Sequence, residues 1–270
     1  MRQRVLRRCS VAVVVGLIAL MGVAAPAGAA LTTVTVAGGV LTVTSDAADA
    51  ITVTCATGNV KVNGADPTTG TASCPSITSM VITGGPGANT IDLSGVVTTA
   101  GNFSALATVT VNAGDGGDTV TGSSIGDVLN GQAAADTISG GPGNDTITGG
   151  TGADTVNGGD GNDTLISEFR QPRTDQQTNL PDDFAFDKDD GSDIITDFDP
   201  TCPACTSLAG FPPPGDKIVL LGGTAADIEQ VVKDVTILKG GDAELRYGDT
   251  FITLEGFLAL DVTADMFAIG

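Results

Sequence analysis

The stretch Gly140–Ile166 reads GGPGNDTITGGTGADTVNGGDGNDTLI, with Asp at every ninth position: Asp145, Asp154 and Asp163. A run of small residues precedes each Asp, and an aliphatic residue stands two places after it. No Lys or Arg occurs in the stretch. Acids at a strict interval, with little side-chain bulk around them and no counter-base, require a partner that is not a side chain.

The period extends beyond this stretch. With Asp written as position six, six nonamers run in phase without insertion: 113–121, 122–130, 131–139, 140–148, 149–157 and 158–166. A further copy at 84–92 carries Asn89 at position six, and a decayed one at 44–52 carries Asp49. An insertion near 93–103 shifts the register between the copy at 84–92 and the in-phase run. Internal repetition at a fixed short period marks a solenoid. Position eight is Val120, Leu129, Ile138, Ile147, Val156 and Leu165. One apolar residue flanked by Thr, Ser or Asn is a three-residue strand with period-two alternation. The glycine-rich positions one to five make a tight loop, because glycine allows positive φ and close backbone approach. Two nonamers form one coil of 18 residues, so successive turns fall on opposite edges. Asp118, Asp136 and Asp154 stack on one edge, and Asp127, Asp145 and Asp163 on the other. The fold expected is all-β: two thin parallel sheets with the aliphatic residues between them, a parallel β-roll.

These nonamers resemble the haemolysin-type, or RTX, repeats, whose pattern is Gly-Gly-x-Gly-x-Asp-x-aliphatic-x. The resemblance implies a calcium-binding β-solenoid. It extends to DDFAFDKDDGSDIITDFDP (182–200), GDKIVLL (215–221) and GDTFITLEGFLALDVTADMFAIG (248–270), which look like the module that usually follows such repeats in secreted proteins. CPACTSLAGFPPP interrupts that module. The expected organisation is a secretion signal at 1–29, an N-terminal β-strand cap at 30–83, the nonapeptide roll at 84–166, a linker at 167–190 and a C-terminal capping module at 191–270. Residues 224–234 read as the one helix, with Thr224 as N-cap.

Calcium answers the question posed by the acids. It takes six to eight oxygen ligands, which glycine loops supply as carbonyls and Asp as carboxylates, whereas magnesium demands strict octahedral geometry and keeps its waters. Without the ion, stacked carboxylates repel and nothing offsets the backbone entropy of so much glycine. The expected ligand set is Asp118, Asp127, Asp136, Asp145, Asp154 and Asp163 with Gly140, Gly141, Gly143, Gly149, Gly150, Gly152, Gly158, Gly159 and Gly161. Asp193, Asp197, Asp199 and Asp216 stand either as ligands of a last ion or as caps of the module's strands.

Composition excludes other classes. The 270 residues carry 32 acids against 12 bases, and four of those bases (Arg2, Arg4, Arg7 and Arg8) lie at the extreme N-terminus. Such a balance excludes a phosphate-binding surface for nucleic acid and demands cations. With no His in the chain, imidazole zinc sites and Ser-His or Cys-His nucleophiles are absent. MRQRVLRR followed by VAVVVGLIALMGVA and the small-x-small AGA at 27–29 reads as a cleavable secretion signal, with no membrane span after its removal. RTX proteins of Gram-negative bacteria generally leave by a one-step channel read at the C-terminus, so an N-terminal signal leaves the C-terminal module a structural cap. Cys55, Cys74, Cys202 and Cys205 remain after the signal, and an even count in an exported chain favours disulfides, Cys55 with Cys74 and Cys202 with Cys205. Cys202-Pro-Ala-Cys205 also has the spacing of a redox pair but lies in a proline-rich loop rather than a βαβ unit.

The functional expectation is a secreted calcium-binding β-roll, folded by calcium, with a structural or surface-associated role, an unidentified cell-surface or matrix partner and no catalysis. The competing readings are an RTX-type extracellular enzyme using carboxylates, or an adhesin. Among the sites, only turns 140–145 and 158–163 form a facing pair on one edge with every glycine in place. Turn 131–136 carries Ala134 at position four, and turn 122–127 carries Ile125. Asp145→Ala with Asp163→Ala is therefore expected to raise the calcium midpoint of folding more than Asp118→Ala with Asp136→Ala, in circular-dichroism titrations at fixed ionic strength. An equal or larger shift from the second pair contradicts this order.

Overall fold

A computed structural model describes residues 31–166, 182–186, 188, 190–196, 198, 217–234, 236–238, 242–254 and 266–269. The signal segment, Cys202, Cys205, Asp197, Asp199 and Asp216 lie outside these residues.

The nonamers form the expected strands. Thr119–Thr121, Thr137–Ser139 and Thr155–Asn157 are each three residues long, with the central aliphatic residue buried and Thr exposed. They stack in parallel at the 18-residue register, Val120 against Ile138 and Ile138 against Val156. Asp127–Ala133, Thr146–Thr151 and Thr164–Ile166 stack in the same way, Leu129 against Ile147 and Ile147 against Leu165. The chain thus alternates between two parallel sheets, and all six position-eight residues are buried between them.

Both sheets extend past the nonamers. The first runs, in spatial order, through Thr33–Ala37, Val40–Thr44, Ser79–Thr83, Thr108–Asp115, the three repeat strands 127–133, 146–151 and 164–166, then Ser192–Ile195, Thr250–Leu254, Ala243–Tyr247 and Thr236–Ile237. The second begins with the hairpin Asn59–Val62 and Ala50–Ala56. It continues through Thr90–Asp92 and the repeat strands 119–121, 137–139 and 155–157 to Asp183–Phe186, Lys217–Leu220 and Phe267–Ile269. Pairing is parallel throughout except at the ends. Antiparallel hairpins close both sheets at the N-terminal end and the first sheet at the other. They cover edges that would otherwise offer unpaired backbone groups to another chain.

One expectation needs correction. Residues 167–190 read as a linker, but Asp183–Phe186 is a further rung of the second sheet, pairing Phe184 with Val156 on one side and Ile218 on the other. Phe184 takes position eight and is fully buried. The linker reading followed the polar residues upstream and missed that Asp182-Asp183-Phe184 repeats the Asp-x-apolar spacing. The core is accordingly one column, from Leu41 and Ile51 through the position-eight residues to Phe184, Ile195, Ile218, Ile252 and Leu254.

The insertion after the first repeat adds apolar weight at the N-terminal end. Its Leu93, Val96 and Phe103, with Leu106 just after it, are buried in the same core as Ile77, Met80, Val60 and Val62. Ala225–Lys233 is the one α-helix among the described residues. Thr224 and Asp227 form its capping box, each side chain hydrogen-bonded to the other's backbone N–H. No described helix is long and apolar enough to cross a membrane.

Cys55 and Cys74 are disulfide-bonded across a sequence separation of 19 residues, Cα to Cα 6.0 Å. Closing a loop of that size removes unfolded-state entropy worth about 3 kcal/mol. Replacing both cysteines by serine is therefore expected to lower the stability of the calcium-saturated protein by about that amount in denaturant titrations. An unchanged midpoint would show that the crosslink constrains nothing the fold does not already hold.

Candidate metal centre

Each Asp at position six ends a turn and points inward between two coils. On the second sheet's edge Asp118, Asp136 and Asp154 are stacked, and on the first sheet's edge Asp127, Asp145 and Asp163; all six are at most 2% exposed. The two columns continue beyond the repeats to Asp182 and Asp193. In each column one carboxylate oxygen, Oδ1, accepts the backbone N–H of the Asp one coil earlier. The distances are 2.7 Å from Asp118 to Asp136, 2.9 Å from Asp136 to Asp154, 2.7 Å from Asp127 to Asp145 and 2.8 Å from Asp145 to Asp163. Oδ2 of Asp118, Asp136, Asp145, Asp154, Asp163 and Asp193 is buried and unpaired. A buried carboxylate oxygen left without a donor costs heavily unless a cation meets it.

The loops place carbonyls against those oxygens. Position two has positive φ in Gly141, Gly150 and Gly159 (97°, 114° and 94°), and position four in Gly143, Gly152 and Gly161 (146°, 156° and 149°). These are conformations that glycine adopts and other residues resist. Position one needs glycine for a different reason, since its φ is not positive. A β-carbon on Gly140 would stand 2.1 Å from Asp145 Oδ2 and 2.4 Å from the Gly158 carbonyl oxygen. One on Gly131 would stand 2.3 Å from Asp136 Oδ2 and 2.4 Å from the Gly149 carbonyl oxygen. Unpaired carboxylate and carbonyl therefore converge from neighbouring coils on space that no side chain enters. Among the described residues no group of three or more acidic or thiol side chains is placed to hold a metal ion. An ion held here takes much of its shell from the backbone, as calcium readily does. The donor set, all oxygen and shared between carboxylate and carbonyl, fits calcium.

Two turns depart from the pattern. Turn 131–136 keeps its shape despite lacking two glycines: Gln132 and Ala134 take φ of 81° and 80°, a left-handed conformation that costs a non-glycine residue roughly 1–3 kcal/mol. Turn 122–127 does not keep it, since neither Ser123 nor Ile125 has positive φ. There Ser123 donates its N–H to Asp127 Oδ2 (2.6 Å) and its hydroxyl to Asp127 Oδ1 (2.7 Å). Of the six repeat acids, Asp127 is the one satisfied within its own loop. Ser at position two, rather than Gly, was the legible signal for it.

Burial is the main cause of a raised carboxyl pKa along both columns. Asp136, Asp145 and Asp193 are pushed up to about 7, and Asp154 and Asp163 to about 6. The accepted backbone N–H pulls each back down, and the acids one coil away raise several of them further, Asp127 and Asp163 around Asp145 for example.

The RTX calcium-binding nonapeptide repeat family, in units of four copies, matches residues 112–147 and again 130–165. These residues are RTX repeats, and such repeats bind Ca2+; the buried, unpaired Asp columns lie within them. No curated protein matches the chain in sequence. Among solved structures, the AlgE6R3 subunit of the Azotobacter vinelandii mannuronan C5-epimerase aligns at 24% identity over 53% of this chain and 78% of its own, with a TM-score of 0.37. The extracellular lipase LipA of Serratia marcescens aligns at 14% identity over 71% of this chain, TM-score 0.32; the alignment spans 40% of the lipase's length.

Carboxyls with pKa raised from 3.8 to about 6 or 7 bind more protons in the calcium-free roll than in the unfolded chain. Their contribution to that fold is complete below about pH 4 and is lost as pH rises to about 7. Protons can therefore stand in for calcium at low pH, whereas above about pH 7 the columns are ionised and need the ion. In chelator, the strand signal in circular dichroism is expected to grow as pH is lowered from about 8 to about 5. A chelator spectrum unchanged across that range would show that the buried columns take up no protons on folding.

Proposed function

We propose that this chain is a secreted calcium-binding β-roll whose C-terminal coils fold only when calcium enters the Asp columns, and that its role is structural or surface-associated rather than catalytic. The observation that carries the reading is the series of buried, unpaired Asp Oδ2 atoms facing carbonyls of the next coil. Each carries charge into the interior with no basic residue beside it in the repeats. Asp145 and Asp163 with the Gly140–Gly143 and Gly158–Gly161 loops hold one ion; Asp136 and Asp154 with the Gly149–Gly152 loop hold another. The ion supplies the positive charge that lets these carboxylates ionise inside the fold, and its binding energy becomes folding energy. Secretion rests on the cleavable segment at 1–29 and on the extracellular habit of RTX repeat proteins, since millimolar calcium is met outside the cell. A non-catalytic role rests on the sequence: without His, and with the repeat acids committed to the columns, the chain offers few groups for proton transfer.

The test is a calcium titration of the chelator-treated chain followed by far-ultraviolet circular dichroism. Strand signal is expected to rise with calcium, to disappear on adding chelator and not to be restored by equimolar magnesium. Gly140→Ala, which sets a methyl group against Asp145 Oδ2 and the Gly158 carbonyl, is expected to raise the midpoint about tenfold, the loss of roughly one good ligand set. A spectrum indifferent to calcium would refute the proposal.

A further inference from the structure

Two acid columns run along the roll, but they are not alike from end to end. On the second sheet's edge the column begins with Asp49 and Asn89 before reaching Asp118. Asn89 carries no charge, yet it occupies position six and is 2% exposed. Its Oδ1 accepts the Asp49 N–H at 3.0 Å, which orients the amide. Four oxygens then surround its Nδ2: the carbonyls of Gly85 (3.1 Å), Gly87 (2.6 Å) and Ala113 (3.1 Å), and Asp118 Oδ1 (3.2 Å). By repeat position these are the carbonyls of positions two and four of its own turn, the carbonyl of position one in the next coil, and the acid of the next coil. The same positions around Asp145 are Gly141, Gly143, Gly158 and Asp163. An NH2 group at the centre of four oxygens does what a cation does: it gives converging lone pairs a positive partner.

The first turns of both columns are satisfied in the same spirit. The Ser45 hydroxyl joins Asp49 Oδ2 to the Ala47 carbonyl, and Ser123 donates twice to Asp127. Position two is serine in both. After these turns the pattern changes: Oδ2 is unpaired from Asp118 to Asp154 on one edge and from Asp145 to Asp193 on the other. The satisfied turns belong to the part of the chain that also holds the Cys55–Cys74 disulfide and the buried Leu93, Val96 and Phe103 of the insertion.

We infer that the Asn89 amide and the Ser45 and Ser123 hydroxyls are built-in replacements for calcium ions, so that residues 31–127 form a calcium-independent seed on which the calcium-dependent coils assemble. The roll has a polarity in consequence. Its N-terminal coils stand folded before any ion arrives. They present Asp118 and the Thr108–Asp115 strand as the template for the coils that follow, which removes the unfavourable first step of solenoid folding. Calcium then extends the roll towards the C-terminus instead of starting it.

This inference rests on the calcium-folding reading, and its test separates the two. Amide hydrogen exchange is measured by mass spectrometry on the full chain, in chelator and in millimolar calcium. In chelator, peptides covering Ala50–Ala56, Ser79–Thr83 and Thr90–Asp92 are expected to remain protected by at least about a hundredfold, an opening free energy of roughly 2.7 kcal/mol. Peptides covering Thr146–Thr151, Thr155–Asn157 and Thr164–Ile166 are expected to exchange freely and to become protected when calcium is added. If both groups of peptides gain protection only with calcium, the seed is refuted and the calcium reading stands; if neither responds to calcium, the calcium reading itself fails. Asn89→Asp supplies the second arm. It exchanges the amide donor for a carboxylate among four oxygens, and is expected to abolish protection of Thr90–Asp92 in chelator, restore it in calcium and raise the bound calcium by one ion per chain in equilibrium dialysis. Unchanged protection in chelator with an unchanged ion count would refute the role assigned to Asn89.

Discussion

Everything in the roll depends on an unbalanced charge between stacked coils. Each open position-six Asp gives one oxygen to the backbone N–H of the coil before it, and that bond holds the 18-residue register. The other oxygen faces the carbonyls of the next coil with no donor in reach. Hydrophobic burial alone does not offset this, because each nonamer contributes a single aliphatic side chain to the interior. A nonamer orders all its backbone, much of it glycine, around that one buried Val, Ile or Leu. The ion therefore belongs to the core in an energetic sense, much as the aliphatic column does in a geometric one.

The glycines divide into two duties that the consensus does not distinguish. Positions two and four turn the backbone through left-handed conformations so that successive carbonyls face the acid. Position one lets two coils approach until a β-carbon would touch both the carboxylate and the neighbouring carbonyl. Turn 131–136 shows that the first duty tolerates substitution at a cost in strain, since Gln132 and Ala134 adopt the required φ. Position one is Gly in every one of those six turns except the first, where Ala113 stands.

Much of this architecture was legible in the residues. Nine-fold spacing located the strands and their pairing, and position eight gave the core, because period and burial are local properties of a repeat. Less legible were features created by contact between distant segments. Asp183–Phe186 joins the second sheet only because Val156 and Ile218 flank it, and a polar surround hid its Asp-x-Phe spacing. Asp182 and Asp193 extend the columns from outside the in-phase repeats. Asn89 read as position six of a further copy, and its replacement of a cation shows only when Ala113 and Asp118 are brought over it from the next coil. Ser123 carried a signal at position two, but the insertion also shapes that turn, through the Val96 carbonyl that accepts the Ser124 N–H.

The central claim is that cations sit between coils against the unpaired Asp oxygens. Its most direct test is a crystal structure of the calcium-saturated protein with an anomalous difference map collected at long wavelength. The account predicts calcium peaks between turns 140–145 and 158–163 and between turns 131–136 and 149–154, with no peak at the Asn89 amide. Peaks confined to the outer faces of the sheets, or a peak displacing the Asn89 side chain, would contradict it.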